Sequence, residues 1–320
     1  MLTAMYLRSV TFFKSWFVLK KVGLITRMVD LLLKIYAGLT YRGCTKWVPD
    51  ETHLKLMYRQ ATGVWPDLKK PKTFGEKLQW MKLNDHNPLY PILADKVRSK
   101  QWASPIIGES YLPKVLATWE SADSIDISNL PDKFVLKTNH DSSGVIPCTD
   151  KSVFNLTAAK KRLQAQLNTD YYWSGREWPY HEIPRLAFAE EFLEDASGDL
   201  PDYKILCFDG EPELVEVHKN RFTNQTMDLY SPSWQYLDIR WDVPPSGQVD
   251  PKPGCWDLII ELTKRLSQGL RHVRVDWYIV NGRPLLGELT LFDGSGFEAF
   301  LNREYDEYLG SLIRLDKDVQ

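Results

Sequence analysis

From Arg274 to Phe297 the chain reads RVDWYIVNGRPLLGELTLFDGSGF, with Val275, Trp277, Ile279, Leu285, Leu289 and Leu291 at odd positions and Arg274, Asp276, Glu288 and Thr290 at even ones. This period-two alternation predicts two strands, each with one apolar face, and Asn281-Gly282 predicts the turn between them. The twelve residues from Asp276 to Glu288 constrain that turn. A two-residue loop puts the two acids on opposite faces, whereas a three-residue loop with a bulge at Gly282 puts all four polar residues on one face. We take the second. Two carboxylates beside an arginine and a hydroxyl can hold a hard cation through oxygen and present it to phosphate. The competing reading is a solvated sheet face.

Upstream the pattern changes. Residues 49 to 100 are helical and charged, interrupted at Pro66, Pro71, Pro88 and Pro91, with no β-branched run. A helix carrying Asp95, Lys96 and Lys100 then leads into an extended segment at Tyr111 to Leu116. In DKFVLKTNHDSSGV a strand from Phe134 to Lys137 runs into Ser142, Ser143 and Gly144, a loop whose backbone N–H groups can wrap phosphate while Lys137 adds a point charge. Ser/Gly turns are also common as plain turns. A helix over 155–169, a strand in LAFAEEFLED, a hairpin around Asp209-Gly210 and a helix over 256–269 complete the order. Between them, YYWSGREWPY holds five aromatics in ten residues. They form either a platform on which sugar rings stack, with Trp178 on it and Arg176 available to a uronate carboxylate, or an anchor for an irregular loop.

Residues 1 to 47 carry Arg8, Lys14, Lys20, Lys21, Arg27, Lys34, Arg42 and Lys46 against one acid, Asp30. Charges recur too often for a membrane span of about 20 residues, and no apolar core ends in a cleavage site. Val18, Val22, Ile25, Val29, Leu32 and Tyr36 instead follow one seam of a helix, with Lys20, Arg27 and Lys34 away from it. Such a helix either lies on an anionic membrane surface or docks its seam on protein.

With 320 residues, 43% of them hydrophobic, and twelve tryptophans, the chain can bury a substantial core in two or three subdomains. A formal charge of −2 argues against a nucleic-acid binder defined by overall basicity. Cys44, Cys148, Cys207 and Cys255 lie far apart, without CxxC or a histidine at metal spacing, which points to reduced thiols in the cytoplasm rather than a disulfide framework or zinc.

Taken together, TFGEKLQW, NPLY, DK, LPDKFVLKTNH, GREW, EEFLED, DYK, RFTN, VRVD and GEL to GSGF, collinear from about Thr73 to the end, resemble the ATP-grasp ligases and most closely the TupA-like ATP-grasp family of polysaccharide gene clusters. The resemblance implies an α+β fold in which two subdomains grip ATP, here behind a helical N-terminal region. The expected divisions are 1–48 (basic amphipathic helix), 49–110 (helical), 111–189 (subdomain with the phosphate lid) and 190–320 (core subdomain with the metal site). By residue, it puts Lys96 and Lys137 on the phosphates, Ser142, Ser143 and Gly144 in the lid, and adenine against Glu190, Glu191 and Phe192. Asp202 takes the place of the ribose acid, and Lys204 joins the nucleotide-binding set. Asp276 and Glu288 fall on the magnesium carboxylates, and Arg274 on the arginine that steadies the tetrahedral intermediate. Gly294, Ser295 and Gly296 fall at the substrate, and the strand LAFAEEFL falls on the hinge that meets adenine; Arg221, just after the strand next to that hinge, is within reach of the γ-phosphate or the incoming acid.

Three departures stand out. Thr290 replaces the usual third magnesium ligand, an asparagine; the lid reads HDSSG, with Asp141 bringing a negative charge; and helices replace the strand-rich domain that carries part of the substrate site. The implied reaction is ATP- and Mg-dependent joining of a carboxylate to an amine through an acyl phosphate, modifying a cell-surface or capsular polysaccharide or its precursor with an amino acid. A kinase or glycosyltransferase is the alternative, although no Asp-x-Asp follows a strand in a nucleotide-sugar pattern. Expected partners are small-molecule or polysaccharide-precursor substrates, with membrane contact through residues 1–47 on the inner face and no nucleic acid.

Overall fold

The computed structural model describes residues 27–141, 144–195, 200–220, 223–239, 243–298, 300 and 302–315. The chain divides into two compact units, Met1–Pro66 and Asp67–Gln320. In the first, helix α1 (27–41) buries Leu33, Ala37 and Thr40, at i, i+4 and i+7. It is tied to α2 (Asp50–Thr62) by Tyr36 Oη, 2.9 Å from His53 Nδ1, and by Arg59 donating to Asp30 at 3.4 Å. This corrects the expected seam. Val18, Val22 and Ile25 lie outside the described residues, Val29 and Tyr36 are half-buried, and Leu32 is 58% exposed. The buried stripe runs through Leu33 and the small Ala37 and Thr40 instead.

The second unit opens with helices α3 (Phe74–Asn84), α4 (Tyr90–Ala94) and α5 (Arg98–Ile107), as the pattern predicts. The start of α3 is closed by a capping box between Thr73 and Glu76, and Asp306 Oδ1 accepts from Phe74 N at 2.9 Å. Strands β1 (Val115–Trp119), β2 (Phe134–Thr138), β3 (Ile146–Cys148) and β4 (Ala187–Glu191) form an antiparallel sheet in the order β1-β4-β2-β3. Helix α6 (Leu156–Leu167) covers it with Ala159, Leu163 and Leu167 against Phe134, Leu136, Ala187 and Ala189. A short helix α7 (Tyr172–Gly175) lies in the aromatic run before β4.

A six-stranded antiparallel sheet follows, built from β5 (Asp202–Phe208), β6 (Glu211–Lys219), β7 (Thr226–Tyr230), β8 (Tyr236–Leu237), β9 (His272–Val280) and β10 (Arg283–Thr290), in the order β10-β9-β5-β6-β7-β8. One face carries Val273, Val275, Trp277, Leu286 and Leu289 into a core shared with Trp256, Ile259, Leu262 and Leu266 of α8 (Trp256–Ser267). Helix α9 (Arg303–Leu312) closes the chain.

The β9–β10 hairpin reaches the expected arrangement by another route. Arg283 pairs with Val280, so the loop is Asn281-Gly282 alone, at φ 50° and 78°, the pair of positive angles that a two-residue turn matched to strand twist requires. The bulge lies farther along, where the register shifts between Leu286 and Glu288. Gly287 is the extra residue, and a Cβ there would stand 3.0 Å from the Tyr278 ring and 3.3 Å from Asp276 O. The shift resets the alternation: Leu286, not Leu285, pairs with Trp277, while Glu288 pairs with Asp276 and Thr290 with Arg274.

Helix α9 approaches α3 through Gly310, where a Cβ would stand 2.1 Å from Lys72 O and 2.8 Å from Phe74 N, backbone that cannot swing aside. Gly310→Ala is therefore expected to cost about 2 kcal/mol or more, seen as a lower urea midpoint at unchanged m value. Gly254→Ala, with nothing within 4 Å of its Cβ, is the control and should shift stability by no more than about 0.5 kcal/mol.

Candidate active site

Cross-strand register places four ionisable side chains in one row. Glu288 on β10 pairs with Asp276 on β9, Asp276 with Lys204 on β5, and Lys204 with Glu216 on β6. Lys204 Nζ donates to Asp276 Oδ2 at 2.7 Å, and Arg274 grips the same carboxylate with Nε on Oδ1 and Nη2 on Oδ2, both at 2.7 Å. Arg274 also bonds Asp293 Oδ1 and lies 3.4 Å from Glu288 Oε1 and 3.2 Å from Thr290 Oγ1. Arg274 is 9% and Asp276 4% exposed, which excludes the competing reading of a solvated sheet face.

The charges follow from that burial. Burial alone would raise the Asp276 carboxyl, but Arg274 and Lys204 outweigh it and hold it well below the usual carboxylate range. Glu288 is also held down, burial being outweighed chiefly by Lys96. Burial, reinforced by Asp293, pushes Glu216 well up. Burial, with Lys204 and Arg274 adding to it, lowers the neighbouring His218 to about 4. Glu216 and Asp293 escape the sequence reading, although a glutamate inside the apolar run LVEV was a usable signal.

A second cluster lies where the small sheet meets α5. Lys137 on β2 pairs with Glu190 Oε2, and the Lys100 ammonium on α5 forms an ion pair with Glu190 Oε1 at 2.7 Å. Burial would raise the Glu190 carboxyl, yet Lys100 and Lys137 hold it at about 2. Lys96, just before α5, bonds Asp141 O and lies 4.0 Å from Glu288 Oε2, so one ammonium stands between the segment after β2 and the paired acids. The Asp141 carboxylate turns back to accept from Gly144 N at 3.0 Å, so its charge is taken up by the loop. Ser142 and Ser143 lie outside the described residues, as does Arg221.

The remaining expected residues are spread over several elements. Glu191 Oε1 accepts from Lys114 N at 2.9 Å, and Glu191 N donates to Lys114 O at 3.0 Å. Phe192 is half-buried, and Asp202 is buried opposite His218. Gly294, Ser295 and Gly296 take φ of 50°, 55° and 62°, three successive left-handed residues. They are held from α3, where Gln79 Nε2 donates to Ser295 O at 3.0 Å and Gly296 O at 2.8 Å, and Lys82 Nζ donates to Ser295 O at 2.7 Å and Gly175 O at 2.8 Å. Ser295 Oγ reaches Glu177 Oε1 at 2.6 Å. Burial lowers Lys82 to about 8 against the pull of Glu177. Arg176 is 1% exposed, its guanidinium 4.6 Å from the Trp173 ring centre. Trp178 is half-buried, its indole donating to Asp85 O at 3.0 Å. Arg176 and Trp178 are thus held by contacts to Trp173 and to the end of α3.

Asp276 and Glu288 suit a magnesium ion by donor type: both are hard oxygen ligands held toward the ionised form and directly opposed across two strands, and Glu288 is loosely partnered, its side chain 38% exposed. No cluster of three His, Cys, Asp or Glu suited to a metal occurs among the described residues. Two carboxylates and the Thr290 hydroxyl would then be completed by water and phosphate, as Mg²⁺ tolerates.

A lysine-ended strand and Ser/Gly loop on a four-stranded sheet, beside a larger sheet bearing opposed acids, make up the ATP-grasp fold. A family model described as TupA-like ATPgrasp matches residues 76–314, and the chain belongs to that family. No curated protein matches the sequence significantly. Similar solved structures include D-alanine–D-alanine ligase from Bacillus anthracis complexed with ATP, at 16% identity over 62% of this chain and 54% of that one, TM-score 0.36. The enzyme of that name from Helicobacter pylori gives 13% identity over 75% and 69%, TM-score 0.42. L-amino acid ligase from Bacillus licheniformis gives 11% over 78% and 55%, TM-score 0.38. The match thus spans only about half the length of the B. anthracis ligase.

Because Glu190 is held at about 2 when folded, against an ordinary 4.5, its ion pairs stabilise fully above about pH 4.5 and lose that contribution as pH falls through the folded value. The difference in melting temperature between wild type and Glu190→Gln should therefore shrink from about pH 5 to about pH 3, followed by calorimetry.

Proposed function

We propose that the chain is an ATP-dependent ligase that joins a carboxylate to an amine through an acyl phosphate. The observation that carries this reading is the position of Lys96, whose ammonium bonds Asp141 O, at the start of the proposed phosphate-wrapping loop, and lies 4.0 Å from Glu288 of the acid pair. A nucleotide triphosphate laid along that line has lysines at one end and carboxylates at the other. Lys137 and Lys100 share the single carboxylate of Glu190, which leaves one positive charge uncompensated for phosphate.

In the proposed reaction the substrate carboxylate attacks the γ-phosphorus, ADP leaves, and the amine displaces phosphate from the acyl phosphate. Lys96 and Lys137 bind and orient the phosphates, and the Ser142–Gly144 loop keeps water off the acyl phosphate. Arg274 holds Asp276 in place and presents its guanidinium to the developing oxyanion. Asp276, Glu288 and Thr290 would hold magnesium, which when bound neutralises charge on the transferring phosphoryl group. Gly294 to Gly296, with Arg221, are proposed to meet the acid substrate. In that scheme Asp202 and Lys204 belong to the nucleotide's site, and adenine lies against the segment from Glu190 to Phe192.

We take the acceptor to be a polysaccharide or its precursor and the donor an amino acid, the reaction taking place in the cytoplasm. All four cysteines are free, as a reducing compartment requires. Incubation with ATP, magnesium and candidate acids and amines is expected to release ADP and phosphate only when both partners are present. A stable phospho-product would make the chain a kinase, and sugar transfer indifferent to ATP a glycosyltransferase.

Glu288→Gln should abolish ATP-dependent turnover with little change in melting temperature, because its side chain is partly exposed and loosely held. Asp276→Asn should abolish turnover too, but with a loss of about 3–5 kcal/mol in stability, since it strips Arg274 and Lys204 of a shared buried partner. Near-normal turnover in either variant would remove the metal assignment. Lys137→Ala should weaken ATP binding by at most about 3 kcal/mol, measured by titration calorimetry.

A further inference from the structure

Helix α1 has two apolar faces. Leu33, Ala37 and Thr40 are buried, whereas Met28 (57% exposed), Leu31 (58%), Leu32 (58%), Ile35 (51%) and Leu39 (40%) face outward. At about 100° per residue those five fall within an arc of roughly 100°, on the side opposite the buried stripe. Arg27 and Lys34, both exposed, line one edge of the arc, and Arg42 follows the helix. Asp30, the sole acid among residues 1–47, is engaged by Arg59. Tyr41 and Trp47, 80% and 83% exposed, stand at the helix's C-terminal end. No helix among the described residues is long and apolar enough to cross a membrane.

We propose that this outer face lies in the plane of an anionic lipid surface, with Met28, Leu31, Leu32, Ile35 and Leu39 among the acyl chains, Arg27 and Lys34 at the headgroups, and Tyr41 and Trp47 at the interface. Charge decides between this occupant and others. A second copy packed antiparallel about a two-fold axis would set one basic edge against another, and in either orientation a stripe one helix wide is only part of the roughly 800 Å² per partner of a standard protein interface. Residues 1–26 add four bases and no acid, so they too repel the edge formed by Arg27 and Lys34. An anionic bilayer meets both requirements at once: it takes up an apolar stripe without matched shape, and it attracts the bases. Lysine and arginine stems can lie along the apolar region with their charges at the phosphates.

The test uses the full chain and co-sedimentation with vesicles of phosphatidylcholine alone or mixed with phosphatidylglycerol. Binding is expected with the mixed vesicles only, weakened by added salt. Leu32→Glu or Ile35→Glu should lower it on the order of tenfold or more without a change in melting temperature, because both side chains face outward. Lys34→Glu should lower it on the order of fivefold. Failure to bind the mixed vesicles, equal binding to both kinds, or binding indifferent to Ile35→Glu would overturn the proposal. So would a dimer in sedimentation equilibrium that Ile35→Glu dissolves, because a second copy would then cover the face.

Discussion

A guanidinium held among carboxylates, on the strand next to the edge of a six-stranded sheet, is the constraint around which the second unit is arranged. Arg274 grips both oxygens of Asp276 and also bonds Asp293, and Lys204 holds Asp276 from the neighbouring strand. Charges this deeply buried are tolerable only when every partner is in place. The hairpin must therefore set Glu288 opposite Asp276, and the turn after β10 must return Asp293 to the arginine. The opposite face of the same strands is free to be fully apolar and to pack on α8. Such a network adds little net stability compared with apolar packing, but it fixes positions. Position is what a site handling phosphate needs.

The helices ahead of the sheets are part of the same arrangement. Helix α3 reaches the loop of Gly294 to Gly296 through Gln79 and Lys82, and α5 supplies Lys100 to Glu190. These helices therefore brace that loop and the Glu190 ion pair from outside the sheets. The first turn of α3 is in turn closed by Asp306 from the last helix, whose carboxyl burial pushes up to about 6.

Much of this was legible from alternation and turn chemistry. Strands β2, β4, β5 and β6, the Asp209-Gly210 turn and helices α6 and α8 fall where period and punctuation put them. So does the union of Arg274, Asp276, Glu288 and Thr290 on one face. The misses share a cause. Glu216, Asp293, Lys82 and Glu177 are charged side chains buried by distant partners, and a local pattern assigns charge to solvent. The seam of α1 failed differently: with apolar residues on two sides, periodicity alone could not tell which side meets protein. The burial of Arg176 was not legible either, since aromatics that cover a guanidinium read the same in sequence as aromatics that await a ligand.

The Gly287 bulge has a bearing on how relatives of this chain are recognised. An inserted residue that resets strand parity means that the distance in sequence between Asp276 and Glu288 is not itself under constraint; their opposition across the ladder is. A relative lacking that residue, with a turn one residue longer, would keep the same neighbours at the same linear spacing. One that lost the residue without compensation would keep its letters and turn the second acid into the core. An alignment registers the second case as a single gap and the first as none, but neither score shows which face the acid takes; the pairing of backbones does.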